Sequence, residues 1–230
     1  MTHPTIRLAR GAGLAYLVLM LTSALGLLGA PVVKGSAASV AAMVQSSPLR
    51  FRIGITSDLI AQVCGIVLVL LLYRLLSVVD KNKAALMVTL LLVSVPISFV
   101  ITLFDVAAQI LLGGEMQPSS LTENQLSDLA RLFLELHTRG VFALEVFWGL
   151  WLLPFGLLVI KSRMLPRVLG ALLLVAGVCY VAQSITALLV GVHATASLRP
   201  IVLVAGAAGE IATMLWLLIR GAAPRGAVAR

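Results

Sequence analysis

Four carboxyls fall inside apolar stretches of this chain: Asp58, Asp105, Glu145 and Glu210. Three amides, Gln62, Gln109 and Gln183, and one imidazole, His137, lie at related positions. Carboxyls that meet in space can pass a proton as general acid and base. They can equally balance the charge of a cation. Glu210 stands out, because it sits near the middle of a run otherwise free of charge, residues 201–219. An ionisable group at such a depth costs roughly 2.5–3.5 kcal/mol on insertion scales, so it is expected to face a bundle interior or a wet cavity. No G-x-S-x-G, phosphate-binding loop, H-E-x-x-H or zinc ribbon accompanies these residues. A metal built from His137, His193 and carboxylates has no ligand spacing behind it. No catalytic residue, metal or cofactor is therefore assigned.

The elements that must position these groups are membrane helices. Of the residues, 60% are hydrophobic and only 11% charged, and the mean hydropathy is +1.09. Crossing a bilayer takes about 20 apolar residues. Six runs qualify, predicted as spans at about 11–33, 53–73, 84–112, 139–160, 168–192 and 201–220. The first is too long for a signal-peptide core and five more follow, so it reads as an uncleaved helix. Ser120-Leu121-Thr122-Glu123 reads as a capping box. Leu126, Leu129, Phe133 and Leu136 then recur at helical spacing, which predicts an amphipathic helix over about 120–138 at the outer surface or continuous with span four. Pro96 and Pro154 fall inside spans three and four and are expected to kink them. Gly170, Gly177, Ser184 and Gly191 repeat every seven residues, the kind of small-residue stripe along which membrane helices pack. The expected fold is an all-α polytopic bundle forming one domain over residues 1–230.

The net charge of +8 does not point to nucleic acid, because the Lys and Arg residues gather at span ends. They favour one side: Arg7, Arg10, Arg74, Lys81, Lys83, Lys161, Arg163, Arg167, Arg220, Arg225 and Arg230 against Lys34, Arg50, Arg52, Arg131, Arg139 and Arg199. Cytoplasmic loops carry such an excess, which places both termini inside. Cys64 and Cys179 both lie mid-span and read as small apolar residues. In that orientation Asp58, Asp105, Glu145, Gln183 and the other polar groups lie in the outer halves of their spans. The inner halves hold almost nothing polar. The expectation is an outward-facing acidic cup over a dry plug, with Glu210 deepest.

Several motifs resemble a bacterial membrane family known as domain of unknown function 4386. They are Arg7-x-Ala9-Arg10-x-x-Gly13-Leu14-x-Tyr16-Leu17, then Phe51-Arg52-Ile53-Gly54-Ile55 with Asp58-Leu59, Leu136-His137-x-x-Gly140 and Phe147-Trp148-Gly149-Leu150. Leu165-Pro166-Arg167-x-Leu169-Gly170 with Tyr180, and Gly209-Glu210 with Leu215-Trp216-Leu217-Leu218, complete the order. The resemblance implies a multi-helix bacterial inner-membrane protein and no established activity. It also implies an Arg within span three and a His after Phe-x-Gly-Leu of span four. Here span three has no Arg and Trp151 stands at the second position.

Three functions fit these residues. The first is a site that binds or transports a small amphiphilic or cationic molecule. The second is a non-catalytic membrane partner or assembly subunit, in an oligomer or with another membrane protein, whose small-residue stripes form the interface. The third is an intramembrane enzyme that pairs Asp58 with Glu145 or Glu210. The lipid bilayer is the one partner all three share, and a lipid is among the ligands the first would admit.

Overall fold

The computed structural model describes residues 4–30, 33, 35–113 and 120–223 of the 230, with the side chain of His193 outside that set. Seven helices are described, and no strand occurs among the described residues. They are α1 (Pro4–Gly29), α2 (Ala37–Ser46), α3 (Pro48–Leu76), α4 (Lys81–Gly113), α5 (Glu123–Ser162), α6 (Arg167–Leu189) and α7 (Arg199–Ile219). All but α2 are long and apolar enough to cross a membrane. The chain is a multi-pass helical membrane protein. Its outward residues fit that role: Leu14, Leu21, Val63, Leu103, Val175 and Leu203 are large, apolar and exposed, as side chains against lipid tails should be.

The six long helices close a ring in which each packs on its sequence neighbours and α7 returns to α1. The beginning of α1 and the end of α7 share one end of the bundle, here the terminal end. At it, Arg10 donates to the Ile219 carbonyl at 3.1 Å. At the opposite end, the α2 end, Arg50 donates twice to the Leu28 carbonyl, at 2.7 and 2.5 Å. Each arginine thereby satisfies a helix-terminal carbonyl that has no intrahelical donor.

Helix packing follows the small residues. On α5 and α6 the seam runs antiparallel, with Phe142, Gly149 and Gly156 facing Ser184, Gly177 and Gly170. A Cβ added at Gly149 would lie 2.5 Å from the Gly177 oxygen, and one at Gly156 2.6 Å from the Gly170 oxygen. Ser184 Oγ closes the row by donating to the Phe142 carbonyl at 2.5 Å. In lipid no hydrophobic force draws helices together, so such backbone approach supplies the packing energy. Gly170, Gly177 and Ser184 thus form the expected stripe. Gly191 instead takes φ 107° beyond the end of α6.

Several boundaries differ from expectation. Span four and the amphipathic helix are one element, α5, of 40 residues. At about 1.5 Å per residue it reaches roughly 60 Å, twice a hydrocarbon core. The helix runs unbroken through its polar residues, where Arg139 pairs with Glu135 one turn back at 2.9 Å. The capping box is shifted by two residues: Thr122 is the N-cap and Gln125 its reciprocal partner, while Ser120 lies in a turn before the helix. Span five ends at Leu189, and Val192–Thr195 forms a short 3-10 turn. Pro96 and Pro154 lie within helices that continue through them. Pro118, at the expected start of the amphipathic helix, lies outside the described residues.

α2 has no counterpart among the elements expected from the sequence. Ser36 caps it, accepting from the Ser39 amide at 3.2 Å. Its Val40, Ala41 and Val44 join Phe51, Ile55, Ala108, Leu112, Ala130 and Leu134 in an apolar cluster. A larger cluster fills the terminal half, from Ala9, Leu68 and Leu72 to Leu152, Leu158, Leu173 and Leu217. The polar residues lie between the two. Apolar side chains thus fill the terminal half, and the α2 cluster also covers the α3–α4–α5 side of the opposite end. The cup is not simply open there.

Candidate functional site

α7 carries Glu210 near its midpoint. The helix is α-helical to Gly206, passes through one π turn at Ala207–Ile211, and resumes at Ala212. Such single π turns inside α-helices are rare and frequent at functional sites. Glycines admit the neighbours: a Cβ at Gly206 would lie 2.5 Å from the Tyr180 hydroxyl, and one at Gly209 2.9 Å from the Leu172 carbonyl of α6.

The Glu210 carboxyl is gripped from both sides. Tyr16 of α1 donates to Oε2 at 2.6 Å, and Tyr180 of α6 donates to Oε1 at 3.0 Å. Tyr16 is wholly buried. Its ring lies 6.4 Å from that of Trp151, which stacks on Phe155 at 5.5 Å. The two phenols and this aromatic wall hold the carboxyl in one orientation. Glu210 and Tyr180 keep partial exposure.

Nearer the α2 end, Gln183 of α6 turns its amide nitrogen to both oxygens of Glu145 on α5, at 3.0 and 3.2 Å. Tyr180 is three residues before Gln183, hence on the same helix face. Glu145 lies within electrostatic reach of Tyr180 and of Arg199 at the start of α7. Two hydrogen-bonded sets, Glu145 with Gln183 and Tyr180 with Glu210 and Tyr16, thus meet on one face of α6 and make one polar ladder.

A second group is built on α3, α4 and α5. His137 Nδ1 lies 3.0 Å from Asp105 Oδ2, although their alignment falls short of a formed hydrogen bond and leaves Nδ1 without a partner. Asp58 is within electrostatic reach of both. Its carboxyl packs onto Gly26 of α1, in the space a side chain there would fill. Asp105 is 5% exposed. Gln62 and Gln109 are part-buried on α3 and α4 and join neither ladder through a described hydrogen bond.

Among the described residues, two hydrogen-bonding atoms besides His137 Nδ1 are buried without a partner, Gln183 Oε1 and Thr213 Oγ1. Orphans of this kind are uncommon and call for water, an ion or a ligand. Among the described residues no group of three His, Cys, Asp or Glu is arranged to hold a metal ion. A groove of about 490 Å³ opens elsewhere, between α1 and α3 beside Leu25, Leu49, Arg50 and Ile53, and none of the expected site residues lines it.

The carboxyls thus group by helix neighbourhood. Asp58 has Asp105 and His137 as its charged neighbours rather than Glu145 or Glu210. Tyr16 and Tyr180 are site residues that the sequence pattern did not single out. The signal was present, since the chain has only three tyrosines and two fall mid-span, where a phenol needs a partner.

A family model described as "Domain of unknown function (DUF4386)" matches residues 11–221. The chain belongs to the DUF4386 family. No curated protein and no solved structure matches it. Within this DUF4386 chain the matched stretch contains both polar groups, from Tyr16 to Glu210. The motifs that carried the resemblance supply Tyr16, Asp58, His137, Tyr180 and Glu210 themselves. Trp151, at the position where the resemblance implied a His, packs against Tyr16 and backs the Glu210 site as an aromatic wall.

Proposed function

We propose that this DUF4386 protein binds a small cationic or amphiphilic molecule in the membrane, with Glu210 as the central carboxyl. One observation carries the reading. Glu210 stands near the middle of a span, part-exposed, and its described partners are two phenols rather than a cation. Burying an acid so far from water is costly unless something uses it. Two phenol donors preorganise the carboxyl while leaving its charge to be balanced by what arrives. Glu145 and Gln183 would form the approach from the α2 end, and Asp58, Asp105 and His137, with Gln62 and Gln109, a second polar group on the side that α2 covers. The basic residues of the terminal end favour cytoplasmic termini, and the α2 end then faces outward across a bacterial inner membrane. The apolar core beneath Glu210 argues against a standing channel.

The test is a thermal-unfolding screen of the protein in lipid nanodiscs. Tetraalkylammonium and alkylamine compounds should raise the midpoint, while neutral molecules of equal size should not. Glu210→Gln should fold and lose the shift. Equal shifts from charged and neutral compounds, or a shift that survives Glu210→Gln, would leave the reading without support.

A further inference from the structure

We propose that Glu210 exchanges protons with the α2 end of the bundle through a relay made of the Glu145–Gln183 pair, an internal water and the Tyr180 hydroxyl. The proposal rests on the reading of Glu210 as the working carboxyl and adds how that site is reached.

Gln183 is the first support. It is 5% exposed, and both hydrogen bonds described for it leave from its nitrogen toward Glu145. Its oxygen is buried and unpartnered. A buried water typically makes two to four hydrogen bonds to otherwise unsatisfied groups. The Gln183 oxygen and the Glu145 carboxyl that its nitrogen holds supply two such partners, and the Tyr180 hydroxyl, carried three residues back on the same face of α6, supplies a third. Tyr180 is the second support. It already donates to Glu210 Oε1 at 3.0 Å, so its oxygen is free to accept from the other side. The third is what lies beyond: Leu217, Leu173, Leu152 and Phe155 are fully buried on the terminal side, and the Thr213 hydroxyl there has no hydrogen bond joining it to Glu210 or to any other described residue. The groups facing Glu210 are Tyr16 from α1 and Tyr180 from α6. Glu145 of α5 and Arg199 of α7 act on the outer step.

Proton charge moves in four transfers, the last two together. Glu145 takes it from solvent water at the α2 end. It passes it to the internal water, which hands a proton to the Tyr180 oxygen as the original phenol proton moves to Glu210 Oε1. Tyr180 ends neutral, and rotation of its hydroxyl resets the relay. No electron changes hands, and one proton has moved from solvent to Glu210.

Infrared spectroscopy in nanodiscs tests this. The carboxyl band lost in Glu210→Gln identifies Glu210, and its shift on transfer to heavy water times the exchange. Tyr180→Phe should slow exchange about tenfold or more, the factor that corresponds to one hydrogen bond's worth of barrier. Gln183→Leu should do the same, and it guards against a folding defect peculiar to Tyr180→Phe. Thr213→Val removes the wholly buried orphan hydroxyl one turn toward the terminal end and should leave the rate unchanged. Equal rates in unchanged protein, Tyr180→Phe and Gln183→Leu would overturn the relay. Slowing by Thr213→Val, or the lack of a Glu210 band at every pH where the protein stays folded, would overturn it too. Exchange that behaves as expected without stabilisation by organic cations would sink the binding reading alone. The converse result would sink only the relay.

Discussion

Tyr16→Phe should destabilise the bundle by about 1–3 kcal/mol, the cost of leaving a buried polar group without its partner. The substitution removes a single oxygen and keeps the ring. The packing of that ring at 6.4 Å from Trp151 should survive. What is lost is the donor 2.6 Å from Glu210 Oε2. Tyr16 is 0% exposed, so no solvent can take the place of its hydroxyl. Tyr180 is part-exposed and its bond is longer, at 3.0 Å, so Tyr180→Phe should cost less. The partner decides the sign. In a Glu210→Leu background the phenol itself becomes the orphan, and Tyr16→Phe should then be neutral or stabilising. Unfolding in mixed micelles of rising SDS fraction, followed by tryptophan fluorescence, measures all four corners of the cycle. A cost that is the same in both backgrounds to within about 0.5 kcal/mol, the usual error of additivity, would show that phenol and carboxyl do not depend on each other.

Three further outcomes follow from the packing, a cap and a loop. Gly177→Ala should cost about 1–3 kcal/mol as overpacking, since the new Cβ would lie 2.7 Å from the Gly149 oxygen. Gly11→Ala, with its nearest neighbour at 3.9 Å, should be neutral or better in the same SDS assay. Thr122→Ala should lose about 0.5–2 kcal/mol of capping energy and raise amide exchange in the first turn of α5, whereas Ser120→Ala should not. Asp80 lies in the α3–α4 turn, where Lys83 at 2.7 Å and Lys161 at 3.6 Å hold its carboxyl down from 3.8 to about 2. A depressed acid adds stability above its unfolded value that is lost as pH falls through the folded one. Asp80→Asn should therefore flatten the acid limb of an unfolding-versus-pH curve between 3.8 and about 2, modestly, because the pair is solvent-screened.

The six spans were legible because an apolar run of bilayer length rarely forms anything but a membrane helix. Glu210 was legible for the converse reason, as one charge in such a run. α2 was not, because ten residues are too few for a span and its apolar face finds a use only against α3, α4 and α5. The length of α5 was half legible: the Leu stripe marked a helix, but the polar residues between it and span four left open whether the two were one element. Tyr16 and Tyr180 escaped because they were counted with the hydrophobic residues, a count that says nothing of where a hydroxyl points. The π turn at Ala207–Ile211 was not legible either, because neither Gly206 nor Gly209 marks one in the sequence. The cup drawn from depth alone put all four carboxyls in one group. Depth does not report which helices are neighbours, and the ring order divides Asp58 and Asp105 from Glu145 and Glu210.

Whether Glu210 is the carboxyl that meets a ligand can be seen in a structure determined from a lipid mesophase with tetraethylammonium. Ligand density is expected on the α2-end side of Glu210, within reach of its carboxyl, with Tyr16 and Tyr180 still donating. Density lying only in the groove beside Arg50, or in the Glu210→Gln protein as fully as in the unchanged one, would mean that Glu210 does not hold the cation.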